Sequence, residues 1–496
     1  MKFKMFFLLL PVSMLMAAAY ITIPPLEKNP GLEFITQKDL FETDQYLSSD
    51  KFKGRLVGSP EYNMAADYMA KQFSDLGLKP IADSGFFQKL KVEYNEIICP
   101  CQFSKVNKDG SIKKYKAGID YAFRGFTGSG NVKAPVAFCG YGISQPEDGY
   151  DDYQGMDVKG KVVMMFKQMP TWKLNKKDWS ASLRARSNMA AKHGAVATLF
   201  VSKPNDANPQ KPIGSVMDGE GEQNINHPTL QIDINVADDF LDGNDVTLKD
   251  LQGKIDTTKK PNSLNCSSMA LVEVSAKYEK EKTTMNVAAL LPGSDPVLKN
   301  EYVIITAHLD HVGSQGEVIY PGANDNASGS AGVLQIARAF VKGKINPKRS
   351  VLFIVFAGEE LGLNGSKYCA AHPLVPLDKT IALLNMDCIG FGDSIQVGNG
   401  KSSPLLWNIA NANDSLNTKQ LVKRTWNGGG ADATPFHEKG VPCLYFVTTN
   451  SYKHLHLPTD KVETLNMPLY EKVVKLAYLT AYEVAQGSYK RETVKP

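Results

Sequence analysis

The chain is short of several things. Among its 496 residues there are only seven Cys, four Trp and eight His, and Lys plus Arg exceed Asp plus Glu by just 56 to 52. Each shortage excludes something. A formal charge of +4 gives no electrostatic reason to expect a nucleic-acid partner, and the short Lys runs read as solvated surface. Seven thiols is an odd number, so at least one is unpaired or bonded to another chain. Cys99 and Cys101 lie too close in sequence for an easy mutual bridge, and no Cys spacing resembles a structural zinc site. Cys369, Cys388 and Cys443 stand in or beside apolar runs and read as buried thiols. Beyond the first 23 residues no stretch is apolar and long enough to span a bilayer, and no repeat of solenoid length is visible.

What is present begins with an address. Lys2 and Lys4 precede an apolar stretch from Met5 to Met16 that ends in Ala17, Ala18 and Ala19, the order of a secretory signal over residues 1–19. Cleavage after Ala19 and export, to the periplasm or the exterior, are the expectation. An uncleaved anchor is the alternative, since apolarity continues to Ile23, and a lipid anchor is disfavoured because no Cys stands near. With 43% apolar residues over this length, the chain can bury a large core in two or three domains.

Residues 60–77 carry apolar positions at helical spacing, with Ser59 as N-cap and Gly77 as the stop. From 87 to 126 the pattern becomes alternating runs with a turn at Asp109 and Gly110, a hairpin signature. Residues 134–268 hold four short apolar runs (APVAFCGYGI, KGKVVMMFK, VATLFVS, TLQIDINV) between Gly-, Pro-, Asn- and Asp-rich loops, and read as an inserted β-rich domain. From 271 buried strands alternate with amphipathic helices, the signature of an α/β sheet covered on both faces. Strands are expected at 302–307, 350–356, 381–386 and 441–447, and helices at 328–342 and 467–485.

The polar residues fall at strand ends. The first of these strands runs into His308 and Asp310, the second into Glu359 and Glu360, the third into Asp387, and the fourth opens a loop holding His454 and His456. Asp325 stands just before a helix whose expected cap is Ser328. Open α/β sheets bind ligands beyond the carboxyl ends of their strands, so these residues can converge. Carboxylates gathered in a dry site repel one another unless cations lie among them. A thiolate-free set of nitrogen and oxygen ligands suits zinc, and one carboxylate can bridge two ions.

The runs TAHLDH, PGANDNASG, FAGEELGLNGS, NMDCIG and HLPTD, in that order over about 300–480, resemble the di-zinc aminopeptidase and glutamate carboxypeptidase family. GRLVGSP at 54–60 and LGLKP at 76–80 resemble its entry segment, and GYGISQPEDGYDDYQGMDVKGKVVMMF resembles the protease-associated domain inserted in some members. The resemblance implies a three-layer α/β/α zinc-peptidase fold with a mixed, mostly parallel sheet. Its peptidase domain would be split into 30–133 and 271–490 around an insert at 134–268. It implies two zinc ions, with His308 and Asp387 on one, Glu360 and His456 on the other, and Asp325 between. Glu359 would be the general base and Asp310 the carboxylate that orients His308. His456, rather than His454, has the family's spacing to Asp460.

Two positions depart from the family pattern. Leu455 stands where some members place a Tyr before the last His, which leaves Tyr452, His454 or the zinc itself to stabilise an oxyanion. Ala433 follows Asp432 where an aromatic residue or His is usual, so the substrate role of that loop stays open, although Trp426 beside it can line a subsite. The implied activity is hydrolysis of peptides, with free N-terminal residues as substrates. The alternatives are a carboxypeptidase or dipeptidase on the same zinc pair, a single-zinc glutaminyl cyclase-like enzyme, and a receptor-type binding module without catalysis. No Arg cluster near the motifs favours the first, and no ligand is missing as the last would require.

Overall fold

The computed structural model describes residues 30–173, 179, 182–217 and 219–494. The segment at 1–19 expected to be a signal lies outside the described residues. No described helix is long and apolar enough to cross a membrane.

The elements that matter run as follows in chain order: α1 (Gln37–Leu47), α2 (Pro60–Asp75), β1 (Phe87–Val106), β2 (Ile112–Lys114), β3 (Tyr121–Phe123), β4 (Gly130–Phe138), β5 (Val162–Phe166), α3 (Leu183–Lys192), β6 (Ala197–Val201), β7 (Thr229–Ile232), α4 (Ile234–Leu241), α5 (Leu248–Thr258), β8 (Leu264–Leu291) and β9 (Tyr302–His308). They continue with α6 (Ser328–Lys342), β10 (Ser350–Phe356), α7 (Asn364–Ala371), β11 (Thr380–Met386), β12 (Ile395–Gly398), α8 (Pro404–Asn413), β13 (Cys443–Thr448) and α9 (Met467–Ala485).

One sheet joins most of the strands, in the order β12-β13-β11-β9-β10-β8-β4-β5-β6-β7-β3. It contains two parallel blocks: β13, β11, β9 and β10 in one, and β4, β5, β6 and β7 in the other. The long strand β8 is antiparallel to both. Its first part pairs with β4 and its last part, Val287 to Leu291, with β10. β1 runs antiparallel along β8, and β2 returns on β1 as the expected hairpin. The expected domain edge at 268–271 thus falls inside a single continuous strand.

Alternation puts successive side chains of one strand on opposite faces, and both faces of the block formed by β13, β11, β9 and β10 are buried. Val303, Ile305 and Ala307 of β9, with Val351, Phe353 and Val355 of β10, pack against α1, α2, α6 and α9. Ile304, Leu352, Ile354 and Phe356 pack the other way, with Cys369 and Ala370 of α7 and Phe436. Helices on both faces of a mostly parallel sheet give the three-layer α/β/α arrangement expected. The buried-thiol reading also holds, since Cys369, Cys388 and Cys443 are all buried.

Local chemistry accounts for the ends of elements. Ser59 accepts the amide of Tyr62 at 3.0 Å and Pro60 opens α2, while Gly77 follows with φ +76°. Two expectations need correction. Ser328 does not cap α6; its hydroxyl donates back to Asn324 O, and the amide of Gly329 is taken by Asn326 Oδ1 at 2.8 Å instead. An amide side chain two residues earlier reaches the amide that a Ser already inside the helix cannot. The run TLQIDINV is strand only as far as Ile232. Asp233 then caps α4 by accepting Asn235 N, so the 134–268 segment carries α3, α4 and α5 and is not purely β-rich.

Candidate metal centre

The carboxyl ends of β9, β10, β11 and β13 lie side by side and deliver the site. His308 closes β9, Asp387 follows β11 directly, and the turn after β10 presents Glu359 and Glu360. The segment after β13 presents His456, itself at φ +54°. Asp325 reaches in from the connection between β9 and α6. His308 Nε2 lies 3.3 Å from Asp325 Oδ1 and 3.4 Å from Asp387 Oδ1. On the other side His456 Nε2 lies 3.1 Å from Asp325 Oδ2 and 3.0 Å from Glu360 Oε2. Asp325 therefore has one oxygen in each of two triads.

These distances suit a cation. Ligands about 2.0–2.1 Å from a tetrahedral zinc stand roughly 3.3 Å from one another, and both triads have edges near that value. The electrostatics agree. Burial works against charge on His308 and His456, yet the surrounding carboxylates outweigh it and lift both imidazoles well above their ordinary range. Burial also pushes at Asp325, but hydrogen bonds from the same two rings hold it well below the usual carboxylate range. For Glu359 burial, helped by the carboxylates of Asp387 and Glu360, outweighs the His308 imidazole 4.0 Å away and drives its carboxyl well up, and burial takes Asp432 to about 6. The site holds more acid than base and calls for added positive charge.

Asp310 stands where expected but makes different contacts. The main-chain carbonyl of Asp310 is the group against His308 Nδ1, at 3.1 Å, while its carboxylate lies 3.8 Å away. The carboxylate instead accepts the amides of Glu359 and Glu360, at 3.2 and 3.4 Å, and so shapes the turn that aims both glutamates. His454 stays apart, with Nδ1 2.9 Å from the hydroxyl of Thr459 and its ring edge-on to Phe391.

Four residues of the site were given no role by the sequence. His311, inside TAHLDH, is fully buried with Nδ1 2.9 Å from Glu360 Oε1. Its position three residues past His308, just beyond the strand, was the available signal. The Tyr445 hydroxyl donates to Asp387 Oδ2 at 3.3 Å. Asp460, previously only a spacing mark, accepts the amides of Asn324 and Asp325 at 2.8 and 3.1 Å and so fixes the loop of Asp325. Arg55, in GRLVGSP, is wholly buried and donates to the carbonyls of Leu47, Leu309, Pro321 and Gly322 at 2.7–2.8 Å.

The surroundings complete the picture. Cys388, Tyr445 and Val447 form an apolar cluster with Trp426, Ala431 and Leu455 beside Asp387 and His456. From the segment between β6 and β7, the amide of Gly214 donates to His456 O at 2.9 Å. A side chain at Gly214 would meet Val312 at 2.7 Å and the Tyr320 ring at 2.9 Å, so only Gly allows this approach.

Comparison with known proteins now bears on this geometry. Residues 286–481 match the model of peptidase family M28. The M28 segment holds every residue of both triads, and the resemblance drawn from the five sequence motifs is borne out there. Aminopeptidase YwaD of Bacillus subtilis is 28% identical over 207 residues, covering 39% of this chain and 44% of its own. The chain thus spans less than half the length of this curated relative. An aminopeptidase from Aneurinibacillus sp. strain AM-1 aligns with a TM-score of 0.64 at 21% identity, over 94% of this chain and 98% of its own. BSAP, described as a zinc aminopeptidase from Bacillus subtilis, aligns at 0.62 and 20% identity, over 93% and 98%. The two structures share the fold of this chain through both parallel blocks.

Proposed function

We propose that the chain is a zinc-dependent exopeptidase, an aminopeptidase that removes N-terminal residues from peptides with a pair of zinc ions and a Glu base. The observation that carries the proposal is Asp325, whose two carboxylate oxygens each belong to a separate ligand triad. His308, Asp325 and Asp387 hold one ion; Asp325, Glu360 and His456 hold the other. The description of BSAP as a zinc enzyme supports the choice of metal. When bound, the pair supplies Lewis acidity for the scissile carbonyl and positive charge among the carboxylates.

The chain's own residues do the rest. Glu359 is the more open of the adjacent glutamates, with 19% of its side chain exposed against 6% for Glu360. Its raised proton affinity suits a group that takes a proton from the attacking water as the C–O bond forms. It then passes that proton to the amine nitrogen as the C–N bond breaks. Asp310 orients the turn bearing Glu359. The cluster of Cys388, Tyr445, Val447, Trp426 and Leu455 seats an apolar first side chain, and acidic groups nearby meet the α-amine. Tyr452 is the hydroxyl we place at the oxyanion side. Residues 134–268 serve as a protease-associated insert whose Gly214 segment buttresses His456, and residues 1–19 direct export.

A panel of free and N-blocked peptides, assayed with chelator and with zinc restored, tests this. Cleavage of free N-termini alone, abolished by chelator and returned by zinc, is expected. Cleavage confined to blocked peptides would reverse the choice of end.

A further inference from the structure

We infer that His311 is a positioning residue of the Glu360–His456 site: its Nδ1–H fixes Glu360 so that Oε2 alone faces the cation. This rests on the two-metal reading above and deepens it. His311 is fully buried, its amide bonded to Arg55 O at 3.2 Å, and its ring stands edge-on to the His456 ring at 5.3 Å. The absence of a side chain at Gly322 makes room for it, since a Cβ there would lie 2.5 Å from two ring carbons. Nδ1 is 2.9 Å from Glu360 Oε1 and 3.6 Å from Asp325 Oδ2, so the ring belongs to the cluster of possible ligands.

Two roles fit those distances, and the far nitrogen decides between them. Nε2 is buried and meets no hydrogen-bonding partner among the described residues. Were Nδ1 a ligand, it would have to be bare and the proton would sit on Nε2 as a buried N–H without an acceptor. An orphaned N–H is the costlier choice, because nearly all buried donors in folded proteins are paired. With the proton on Nδ1, the bond to Glu360 Oε1 has an ordinary N–H···O length and Nε2 presents only a lone pair. Glu360 then has Oε1 committed to His311 and Oε2 directed to the space shared with His456, as a single-oxygen ligand.

The other site is anchored differently. There the outer oxygen of Asp387 receives the Tyr445 hydroxyl at 3.3 Å. One site is steadied by an imidazole and the other by a phenol, so losing His311 acts on one site only.

Zinc titration of the full chain against a competing chelator tests this with wild type, His311→Asn and His311→Leu. The Asn side-chain amide can donate from near the place of Nδ1, whereas Leu fills the volume without a donor. Wild type and His311→Asn are expected to bind two ions with affinities within a few fold of each other. His311→Leu is expected to lose about 10- to 100-fold at one site, while the second keeps its affinity and so reports an intact fold. Equal affinities in all three proteins, or an Asn variant as weak as Leu, would overturn the assignment, the latter by marking the ring as ligand or packing. Should the Leu variant fail to fold, nitrogen NMR of histidine-labelled, zinc-loaded wild type decides: a protonated Nδ1 on His311 supports the inference, and a metal-bonded one refutes it. Wild type that fails to bind two ions would overturn the two-metal reading itself, and this inference with it.

Discussion

Replacing Arg55 tests how the chain holds its metal-bearing loops together. Its guanidinium spends four hydrogen bonds of 2.7–2.8 Å on main-chain carbonyls, three of them at Leu309, Pro321 and Gly322, which flank His308, Asp310 and Asp325. Burial works against its charge, and Asp44, Asp460, Asp325 and Asp310 support it. Arg55→Met keeps length and volume but takes the guanidinium from the buried carbonyls of Leu47, Leu309 and Pro321, while Gly322 O keeps the Ala327 amide at 3.1 Å, and it strips a cation from this acidic surround. Each orphaned group costs about 1–3 kcal/mol and removing one partner of a buried charge network about 3–5; with relaxation, a loss of at least about 3 kcal/mol is expected. Arg55→Lys keeps the charge but not the planar fork, so it leaves at least one carbonyl unmet and costs about 1–3 kcal/mol. Urea unfolding of the metal-free proteins should rank wild type above Lys above Met, and zinc affinity should fall in the same order. An Arg55→Met protein within about 1 kcal/mol of wild type, the range of an ordinary surface change, would refute the reasoning.

Further outcomes follow from other contacts. Glu359→Gln should retain its zinc while kcat falls by about 10²–10⁴, read by metal analysis beside steady-state kinetics. Asp460→Asn replaces an oxygen that accepts the Asn324 or Asp325 amide with an NH₂ facing it, and should weaken zinc binding by about tenfold or more without loss of secondary structure by circular dichroism. Gly214→Val should displace the segment that bonds His456 O and lower kcat/KM, while leaving the far β4–β7 block as resistant to proteolysis as in wild type. His227 is buried against the Thr198 hydroxyl at 2.9 Å, and burial lowers its pKa to about 4. The unfolded chain therefore takes up a proton that the folded one resists. Stability from this group is full above pH of about 6.5 and is lost as pH falls toward 4, by about 3 kcal/mol; His227→Gln should flatten that slope in pH-dependent unfolding.

Much of this was legible in the sequence because strand periodicity and strand ends are local signals. The runs at 302–307 and 350–356 are apolar on both faces and became buried strands, and the residues just past them became the site. His456 was separable from His454 through its spacing to Asp460, and the structure brings only His456 to Asp325 and Glu360. What the sequence hid depends on contacts between distant segments. Arg55 lies more than 250 positions from the carbonyls of Leu309, Pro321 and Gly322, and its segment GRLVGSP marks a resemblance without saying what the guanidinium reaches. His311 resembles any polar residue after a strand until Glu360 is set against it. The stretch from Thr257 to Asn265 read as the loop-like edge of the insert because Lys, Pro, Asn and Ser replace apolar residues there, whereas a long strand already begins at Leu264 and runs on to Leu291, paired on both sides.

Zinc stoichiometry against activity tests the central claim most directly. Metal-free protein titrated with zinc should take up two ions per chain at the two triads, with hydrolysis of a free N-terminal peptide rising to its plateau only as the second ion binds. Full activity at one ion per chain, with no second ion bound at saturation, would contradict the bridging role of Asp325.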